Sequence, residues 1–332
     1  MKNRLQFKKT LELINSSRKI FLTMHEGPDG DDLGSVLAMQ SFLKQLKKDP
    51  TSVIKGVVPD NLSFLPGSES VLQTIPELDF DLAIFFGCNK LERTGFSAGG
   101  GSLPAGQAGD FGGRLQNLKV PIINFDHHPD NTNFGTVNIV DAETSAVAEL
   151  VYYFLTFADA EITKDIATCL LTGIFTDTGG FKHANTSAAA FKVASELLKK
   201  GARIDKIALQ TMGKKRPQAI KAWAKGLENA RFDPDKKMVF SILTEEDLKE
   251  IGATDADLDG FVELLNNMPQ AKFALLLRQD GEVVKGSLRS EPQKKVDVSK
   301  IAKSFGGGGH KLASGFKIKG KLVKDGEAWR IK

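Results

Sequence analysis

Short apolar runs that alternate with amphipathic stretches constrain the fold of this 332-residue chain more than any other feature. The run KIFLTM (19–24) is followed by a segment at 32–47 in which apolar residues recur at helical spacing. The alternation continues with strand patterns at 52–58, 80–86 and 120–125 and helix patterns at 4–16, 144–157 and 186–200. Strands that alternate with helices form parallel sheets covered on both faces. The pattern therefore predicts an α/β fold with an N-terminal doubly wound, mostly parallel sheet.

The second half of the chain has a different order of elements. Residues 203–232 predict a helix, a turn and a second helix, with Pro217 near the start of the second helix. Apolar runs at 237–243, 273–279 and 282–290 predict strands, and 298–304 predicts a helix. We expect these later elements to form a smaller C-terminal α/β domain.

The length of the chain suits two domains. We expect an N-terminal domain at 1–200, a helical connector at 201–232 and a C-terminal domain at 233–332. The segment SAGGGSLPAGQAGDFGG (97–113) consists mostly of small residues without periodicity. It predicts a flexible surface loop inserted in the first domain, with a lid or contact segment as the alternative.

Composition is that of an ordinary globular protein, with 41% hydrophobic and 26% charged residues. No run approaches the roughly 20 apolar residues that span a bilayer, and MKNRLQFKK lacks the apolar centre of a signal peptide. Cys88 and Cys169 belong to no CxxC pair. We therefore expect reduced, buried thiols, a cytoplasmic location and no membrane partner. Net charge is +4, and lysine and arginine are dense at 199–237 and 285–324, which suits an anionic substrate.

Acids and histidines are concentrated in three turns that we expect at the ends of strands. They are His25, Asp29 and Asp31 in HEGPDGDDLGS, Asp126, His127 and His128 in FDHHP, and Asp177 in GIFTDTGGF. Divalent cations bind carboxylate oxygens, and imidazole is a ligand for manganese, iron and zinc. Because open α/β sheets bind ligands at the carboxyl ends of their strands, these turns predict a metal site. For the first turn alone, the alternative is a polar turn in which Asp32 caps the following helix.

A run of four glycines followed by a histidine marks the C-terminal domain. In GGGGHKLASGF, Gly307, Gly308 and Gly309 leave backbone N–H groups accessible to a phosphate, and His310 is a further hydrogen-bond donor. Arg289 can bind a phosphate or carboxylate through two N–H groups. These residues predict an anion-binding site, and a flexible loop is the alternative for the glycines.

Four motifs, in their order and spacing, resemble the DHH phosphoesterase superfamily, in the branch with a C-terminal DHHA1 domain. They are HEGPDGDDLGS, FDHHP, GIFTDTGGF and GGGGHKLASGF. The resemblance covers nearly the whole chain and is greatest to the NrnA-type group, which is related to RecJ. It implies a DHH domain and a DHHA1 domain that meet over a cleft. It also implies hydrolysis of short single-stranded oligonucleotides or of nucleotide phosphates such as pAp.

The resemblance implies a role for each site residue. His25 and Asp29 would bind one Mn²⁺, and Asp31, His127 and Asp177 would bind a second. His128 would lie near the scissile phosphate, with Asp126 orienting the histidine pair. Arg289, Gly307, Gly308, Gly309 and His310 would hold the substrate. The two metal ions would activate water and bind the phosphoryl oxygens.

One position departs from the family. After the strand at 80–86 a member has an aspartate that bridges both metals, whereas this chain has Gly87. Three interpretations are open. The chain is a competent enzyme with a substitution at position 87, or an enzyme in which Cys88 or Asp110 replaces the bridging aspartate as a metal ligand. The third is a catalytically impaired nucleotide-binding protein. On the first account, Gly87→Asp restores the ligand and raises the rate. A phosphodiesterase for cyclic dinucleotides or pGpG is a further alternative, and a homodimer stays an open possibility.

Overall fold

The computed structural model describes residues 2–74, 79–95, 120–213, 215–326 and 328–332. The insertion predicted at 97–113, with Asp110, lies outside the described residues. The chain divides into two compact units, Met1–Lys214 and Lys215–Lys332, each with its own hydrophobic core.

The first unit is built on a parallel sheet of five strands. Their order across the sheet is β2-β1-β3-β4-β5, and each neighbouring pair is parallel. The strands are β1 (Lys19–Met24), β2 (Asp49–Ser52), β3 (Leu82–Phe86), β4 (Ile122–Asp126) and β5 (Val137–Val140). The central strand β3 is buried along its whole length, as expected for a sheet covered on both faces. The predicted α/β fold with a parallel N-terminal sheet is confirmed.

One strand prediction needs correction, and one strand of the first sheet was not predicted. The strand predicted at 52–58 is wrong, because β2 ends at Ser52 and only Val53 continues as an isolated bridge to Leu72. Gly56 then has a φ of +106°, which breaks the extended chain. Strand β5 was not predicted, since four residues are too few to show a period.

Six α-helices lie in the described part of the first unit. They are α1 (Arg4–Ser16), α2 (Gly30–Gln45), α3 (Val147–Phe157), α4 (Lys164–Asp177), α5 (Ala188–Lys199) and α6 (Ile204–Ala208). The placement of Asp177 at a strand end is wrong, because Asp177 is the last residue of helix α4. The apolar run before it is buried on nearly all sides, and periodicity alone does not distinguish such a helix from a buried strand.

Helices α2 and α4 pack against each other at two glycines. A Cβ at Gly34 would overlap the carbonyl oxygen of Cys169, and a Cβ at Gly173 would lie 2.7 Å from the Ala148 side chain and 2.8 Å from Asp31 Oδ1. Glycine at both positions therefore permits a close crossing of the two helices. The crossing places Asp31, in the first turn of α2, beside the C-terminal end of α4.

The second unit contains a mixed sheet of six strands in the order β10-β11-β9-β8-β7-β6 and a two-stranded ribbon, β12-β13. The strands are β6 (Arg231–Asp233), β7 (Met238–Leu243), β8 (Phe273–Asp280), β9 (Val283–Ser290), β10 (Gly308–Gly309), β11 (Ala313–Lys319), β12 (Leu322–Asp325) and β13 (Ala328–Ile331). The helices are α7 (Pro217–Glu228), α8 (Glu245–Ile251), α9 (Phe261–Asn266) and α10 (Val298–Ser304). Within the six-stranded sheet, β7 and β8 are parallel and the other neighbours are antiparallel.

The predicted connector divides between the two units. Helix α6 and the π-helical turn Leu209–Gly213 belong to the first unit, and helix α7, which begins at Pro217, belongs to the second. Cys88 and Cys169 are buried free thiols. Among the helices described, none has the length and apolar character needed to cross a membrane.

Candidate metal centre

The carboxyl edge of the parallel sheet brings two of the predicted turns together. Met24, Phe86 and Phe125 are aligned across β1, β3 and β4, so the residues that follow them lie side by side. His25 follows β1, Gly87 follows β3, and Asp126 ends β4. Helix α2 begins at this edge and adds its acidic first turn.

The first group of candidate ligands consists of His25, Asp29 and Asp32, whose ligand atoms all lie within 4.8 Å of one another. His25 Nε2 lies 3.2 Å from Asp29 Oδ2 and 2.8 Å from Asp32 Oδ2. The other ring nitrogen, Nδ1, lies 2.9 Å from the carbonyl oxygen of Glu26. Because a carbonyl only accepts, Nδ1 carries a hydrogen, and a neutral His25 would present the Nε2 lone pair to two carboxylates.

Such a set of three acceptors requires a positive charge. Burial lowers the pKa of His25, but hydrogen bonds to Asp29 and Asp32 and their charges outweigh it and raise the pKa to about 11. Without a cation, the charge is supplied by a proton on Nε2. The first group therefore has the donor set and the charge requirement of a cation site.

The second group consists of Asp31, His127 and Asp177. His127 Nε2 lies 3.8 Å from Asp177 Oδ2, and its Nδ1 lies 3.3 Å from the carbonyl oxygen of Thr144. Asp31 is held at the N-terminus of helix α3, where Val147 N–H donates to Oδ2 at 2.7 Å and Ala148 N–H donates to Oδ1 at 2.9 Å. These bonds hold the buried Asp31 carboxylate in one orientation.

The two groups are electrostatic neighbours. Burial, together with the charges of Asp29 and Asp32, raises the pKa of Asp177 to about 8. Burial also raises the pKa of Asp31 well above its usual range, with the charge of Asp177 adding to the effect. Carboxylates that repel one another in this way are stabilised by bound cations.

The Asp126 carboxylate holds His128. His128 Nδ1 lies 2.6 Å from Asp126 Oδ1, which also accepts from the backbone N–H of His127 at 2.9 Å. The Asn131 amide donates to the second oxygen of Asp126. Burial opposes the charged forms of both groups, but their hydrogen bond outweighs it, so the pKa of His128 is raised and that of Asp126 is lowered.

The sequence prediction included Asp29 among the candidate ligands and did not include Asp32, which the structure groups with His25 and Asp29. The alternative in which Asp32 caps helix α2 is wrong, because Asp29 is the N-cap residue and its Oδ1 accepts from Asp32 N–H at 2.9 Å. The available signal was spacing. Residues three apart lie on the same side of a helical turn, which joins Asp32 to Asp29 and separates both from Asp31.

The space beside Gly87 is occupied. A Cβ at position 87 would overlap Cγ and both carboxylate oxygens of Asp32. An aspartate at position 87 would therefore require the Asp32 carboxylate to move, since the two carboxylates would compete for one position. Cys88 belongs to neither ligand group, and its thiol donates to the carbonyl oxygen of Phe86 at 3.4 Å.

The candidate anion-binding residues lie in the second unit. Arg289, on strand β9, donates through Nε to Glu263 Oε1 at 2.6 Å. Gly307 and Gly309 have a packing role, because a Cβ at Gly307 would overlap the carbonyl oxygen of Gly315 and Gly309 has a φ of +130°. Gly308 is exposed and has open space where a Cβ would be. His310 follows Gly309, and its backbone N–H donates to the carbonyl oxygen of Ala313 at 2.8 Å.

Comparison with known proteins agrees with this arrangement. The family model "DHH family, N-terminal domain" matches residues 19–174, and the model "DHHA1 domain" matches residues 235–327. A Thermus thermophilus protein named bifunctional oligoribonuclease and PAP phosphatase NrnA is 31% identical over 303 residues, which cover 91% of this chain and 84% of the relative.

Two solved structures share the fold. An exopolyphosphatase-related protein from Bacteroides fragilis superimposes with a TM-score of 0.85 and 26% identity, over 96% of this chain and 92% of that protein. RecJ from Thermus thermophilus, solved in complex with Mn²⁺, has a TM-score of 0.53 at 14% identity, over 95% of this chain and 52% of RecJ. The likeness to RecJ shows a common fold alone.

A parallel sheet with paired acid–histidine groups at its carboxyl edge is followed in this chain by a mixed-sheet unit. Together with the relative named an oligoribonuclease and phosphatase, this architecture assigns the chain to a class of two-domain α/β phosphoesterases. Within that class, the chain belongs to the DHH family, in the branch that carries a DHHA1 domain.

Proposed function

We propose that this protein is a Mn²⁺-dependent phosphoesterase that hydrolyses short oligonucleotides and nucleotide phosphates such as pAp. The observation that carries the proposal is the pair of three-residue ligand groups at one edge of the parallel sheet. The substrate class follows the name of the Thermus thermophilus relative, an oligoribonuclease and PAP phosphatase.

The residues present fit divalent cations. His25 and Asp29 would hold one ion, and Asp31, His127 and Asp177 would hold the other. Carboxylate oxygens with one imidazole per group are a suitable donor set for Mn²⁺. When bound, such ions polarise phosphoryl oxygens and lower the pKa of water.

His128 is the candidate group for contact with the reacting phosphate. Its Nδ1 is engaged by Asp126, so the ring would donate to a phosphoryl oxygen or exchange a proton through Nε2. Asp126 keeps the ring oriented and favours its charged form. A cationic His128 suits an anionic substrate.

The second unit would bind the rest of the substrate. Arg289 makes its side-chain ion pair through Nε, and Gly308 has open space beside its backbone. A guanidinium and accessible backbone N–H groups are suitable partners for a terminal phosphate. In this proposal Gly307 and Gly309 shape the backbone, and His310 adds a donor.

The test is turnover of a substrate panel by the 332-residue chain: pAp, a 5′-phosphorylated dinucleotide, a 20-nucleotide RNA and pGpG, each with Mn²⁺, Mg²⁺ or EDTA. We expect Mn²⁺-dependent release of mononucleotide from the dinucleotide and of phosphate from pAp, and slower turnover of the long RNA. His127→Ala should abolish turnover, and Asp130→Asn, at an exposed acid of the same loop, should not.

Tight nucleotide binding without turnover in Mn²⁺ would instead favour the impaired binding protein. Turnover of pGpG alone would favour the alternative function, a phosphodiesterase for cyclic dinucleotides or pGpG. Either result would overturn the proposed activity.

A further inference from the structure

Gly87 lies at a position where its neighbours leave no room for a side chain. Its N–H donates to the carbonyl oxygen of Phe125 at 2.9 Å, which fixes the backbone at the carboxyl edge of the sheet. Its φ is +62°, a conformation that glycine adopts without steric cost. The direction in which a Cβ would point is filled by the carboxylate of Asp32.

The Asp32 carboxylate is buried and only partly satisfied. The residue is 3% exposed, and its Oδ2 lies 2.8 Å from His25 Nε2. Its Oδ1 is buried and makes no hydrogen bond with the described part of the chain. A buried carboxylate oxygen without a partner is costly, and a bound cation removes that cost.

Local backbone structure does not explain an acid at position 32. The N-cap of helix α2 is Asp29, whose side chain accepts the Asp32 N–H. The carboxylate of Asp32 instead points to the same His25 nitrogen as Asp29, so that one imidazole and two carboxylates converge on one point. Three acceptors that converge are the geometry of a ligand set.

We propose that Asp32 is a metal ligand of this centre, and that it supplies the carboxylate for which position 87 has no side chain. The inference rests on the proposed function, because it completes the same site. Asp32 Oδ2 would join His25 and Asp29 in holding the first cation, and the buried Oδ1 has no hydrogen-bond partner among the described residues. Gly87 and Asp32 then form a matched pair, in which the glycine makes room for the acid.

The pairing of Gly87 with Asp32 predicts what happens when the carboxylate is moved from position 32 to position 87. Gly87→Asp alone introduces a second carboxylate into occupied space and does not improve Mn²⁺ binding. Asp32→Ala alone removes a ligand. The double variant Asp32→Ala/Gly87→Asp returns one carboxylate to the vacated space from the other side, so it recovers binding that neither single variant has.

The experiment is calorimetric titration of Mn²⁺ into the metal-free, 332-residue chain and these three variants. Glu149→Gln is the matched control, because Glu149 is a buried carboxylate outside both ligand groups that accepts from Ser145 N–H and the Tyr153 hydroxyl. Melting temperatures with and without Mn²⁺ give a second readout that does not depend on turnover. His127→Ala serves as the reference for loss of the second site.

We expect Asp32→Ala to weaken binding of one Mn²⁺ by at least about tenfold and to reduce the Mn²⁺-induced rise in melting temperature. Glu149→Gln should bind as the wild type does, and the double variant should bind more tightly than Asp32→Ala. Unchanged affinity and stoichiometry in Asp32→Ala, with loss in His127→Ala, would overturn this inference and leave the proposed function standing. Absence of Mn²⁺ binding by the wild type would overturn both.

Discussion

At the scale of single residues, three candidate ligands, Asp31, Asp32 and Asp177, destabilise the metal-free protein at neutral pH. Burial raises the pKa of Asp31 and Asp32, and burial with the charges of Asp29 and Asp32 brings the pKa of Asp177 to about 8. A carboxyl group with a raised folded pKa binds its proton more tightly in the folded than in the unfolded chain. Its contribution to stability is therefore present at low pH and is lost as the pH rises through the folded value. For Asp177 this loss falls between its ordinary 3.8 and about 8.

The first prediction concerns Asp177→Asn in EDTA. Because the amide has no charge to repel Asp29 and Asp32, the variant should melt roughly 2–4 °C above the wild type at pH 8, about 1 kcal/mol. The difference should vanish toward pH 4. Scanning calorimetry across this range measures it, with Asp130→Asn as the exposed control. Parallel curves for the wild type and Asp177→Asn would contradict the assigned repulsion.

A second prediction separates orientation from metal binding at Asp126. Asp126→Asn removes the charge that raises the pKa of His128, so kcat should fall about 10–100-fold and the limb of the pH profile due to His128 should move to lower pH. Mn²⁺ stoichiometry should not change. Asn131→Ala removes an uncharged donor to Asp126 and the side-chain bonds of Asn131 to the Cys88 carbonyl and the Asn133 N–H. Because it leaves the Asp126 charge in place, it should have a smaller effect on the pH profile. Loss of Mn²⁺ binding in Asp126→Asn would assign this residue to the ligands instead.

At the scale of elements, the site depends on the crossing of α2 and α4. The sequence was sufficient to predict β1 and the acidic start of α2, because an apolar run followed by a Gly-Pro-Asp-Gly turn is a strong local signal. It was insufficient for α4, whose apolar run fits a buried strand equally well. The sequence was also insufficient to group Asp32 with His25 and Asp29, because assigning candidate ligands to each group requires knowing the path of helix α2.

The third prediction tests this crossing with Gly34→Ala. The added methyl group would overlap the carbonyl oxygen of Cys169, so the helices must separate and the protein should lose about 1–3 kcal/mol of stability. Separation of α2 from α4 also moves Asp31 away from Asp177 and should weaken Mn²⁺ binding. Urea unfolding and calorimetric titration measure the two effects.

Gly308→Ala is the matched control for Gly34→Ala, because it adds the same methyl group in open space. Its stability should stay within about 0.5 kcal/mol of the wild type. A Gly34→Ala variant as stable as this control would show that the crossing tolerates a methyl group.

At the scale of the whole molecule, the chain contains a unit with the candidate metal groups and a unit with the candidate anion-binding residues. The order of the two domains could be predicted because the motifs are local and occur in a fixed sequence. The ion pair between Arg289 and Glu263 could not be predicted from the sequence. The partners are 26 residues apart, and the pair depends on how α9 packs on the sheet.

The fourth prediction assigns separate roles to the two units. Arg289→Ala should weaken nucleotide binding by roughly 1.5–3 kcal/mol, the range for a lost charged hydrogen bond, and leave Mn²⁺ affinity unchanged. Arg278→Ala is the control, because Arg278 lies in the same sheet and is paired with Asp255. Calorimetry with pAp and with Mn²⁺ measures both. A change in Mn²⁺ affinity without a change in nucleotide affinity would contradict the proposed role of Arg289 in nucleotide binding.

The central claim is that two neighbouring side-chain groups each hold a cation, and anomalous X-ray diffraction from Mn²⁺-soaked crystals tests it most directly. The account predicts two anomalous peaks, one among His25, Asp29 and Asp32 and one among Asp31, His127 and Asp177. Crystals of Asp32→Ala should lose occupancy at the first peak. A map with no peak within coordination distance of these side chains, at a Mn²⁺ concentration that supports turnover, would contradict the account.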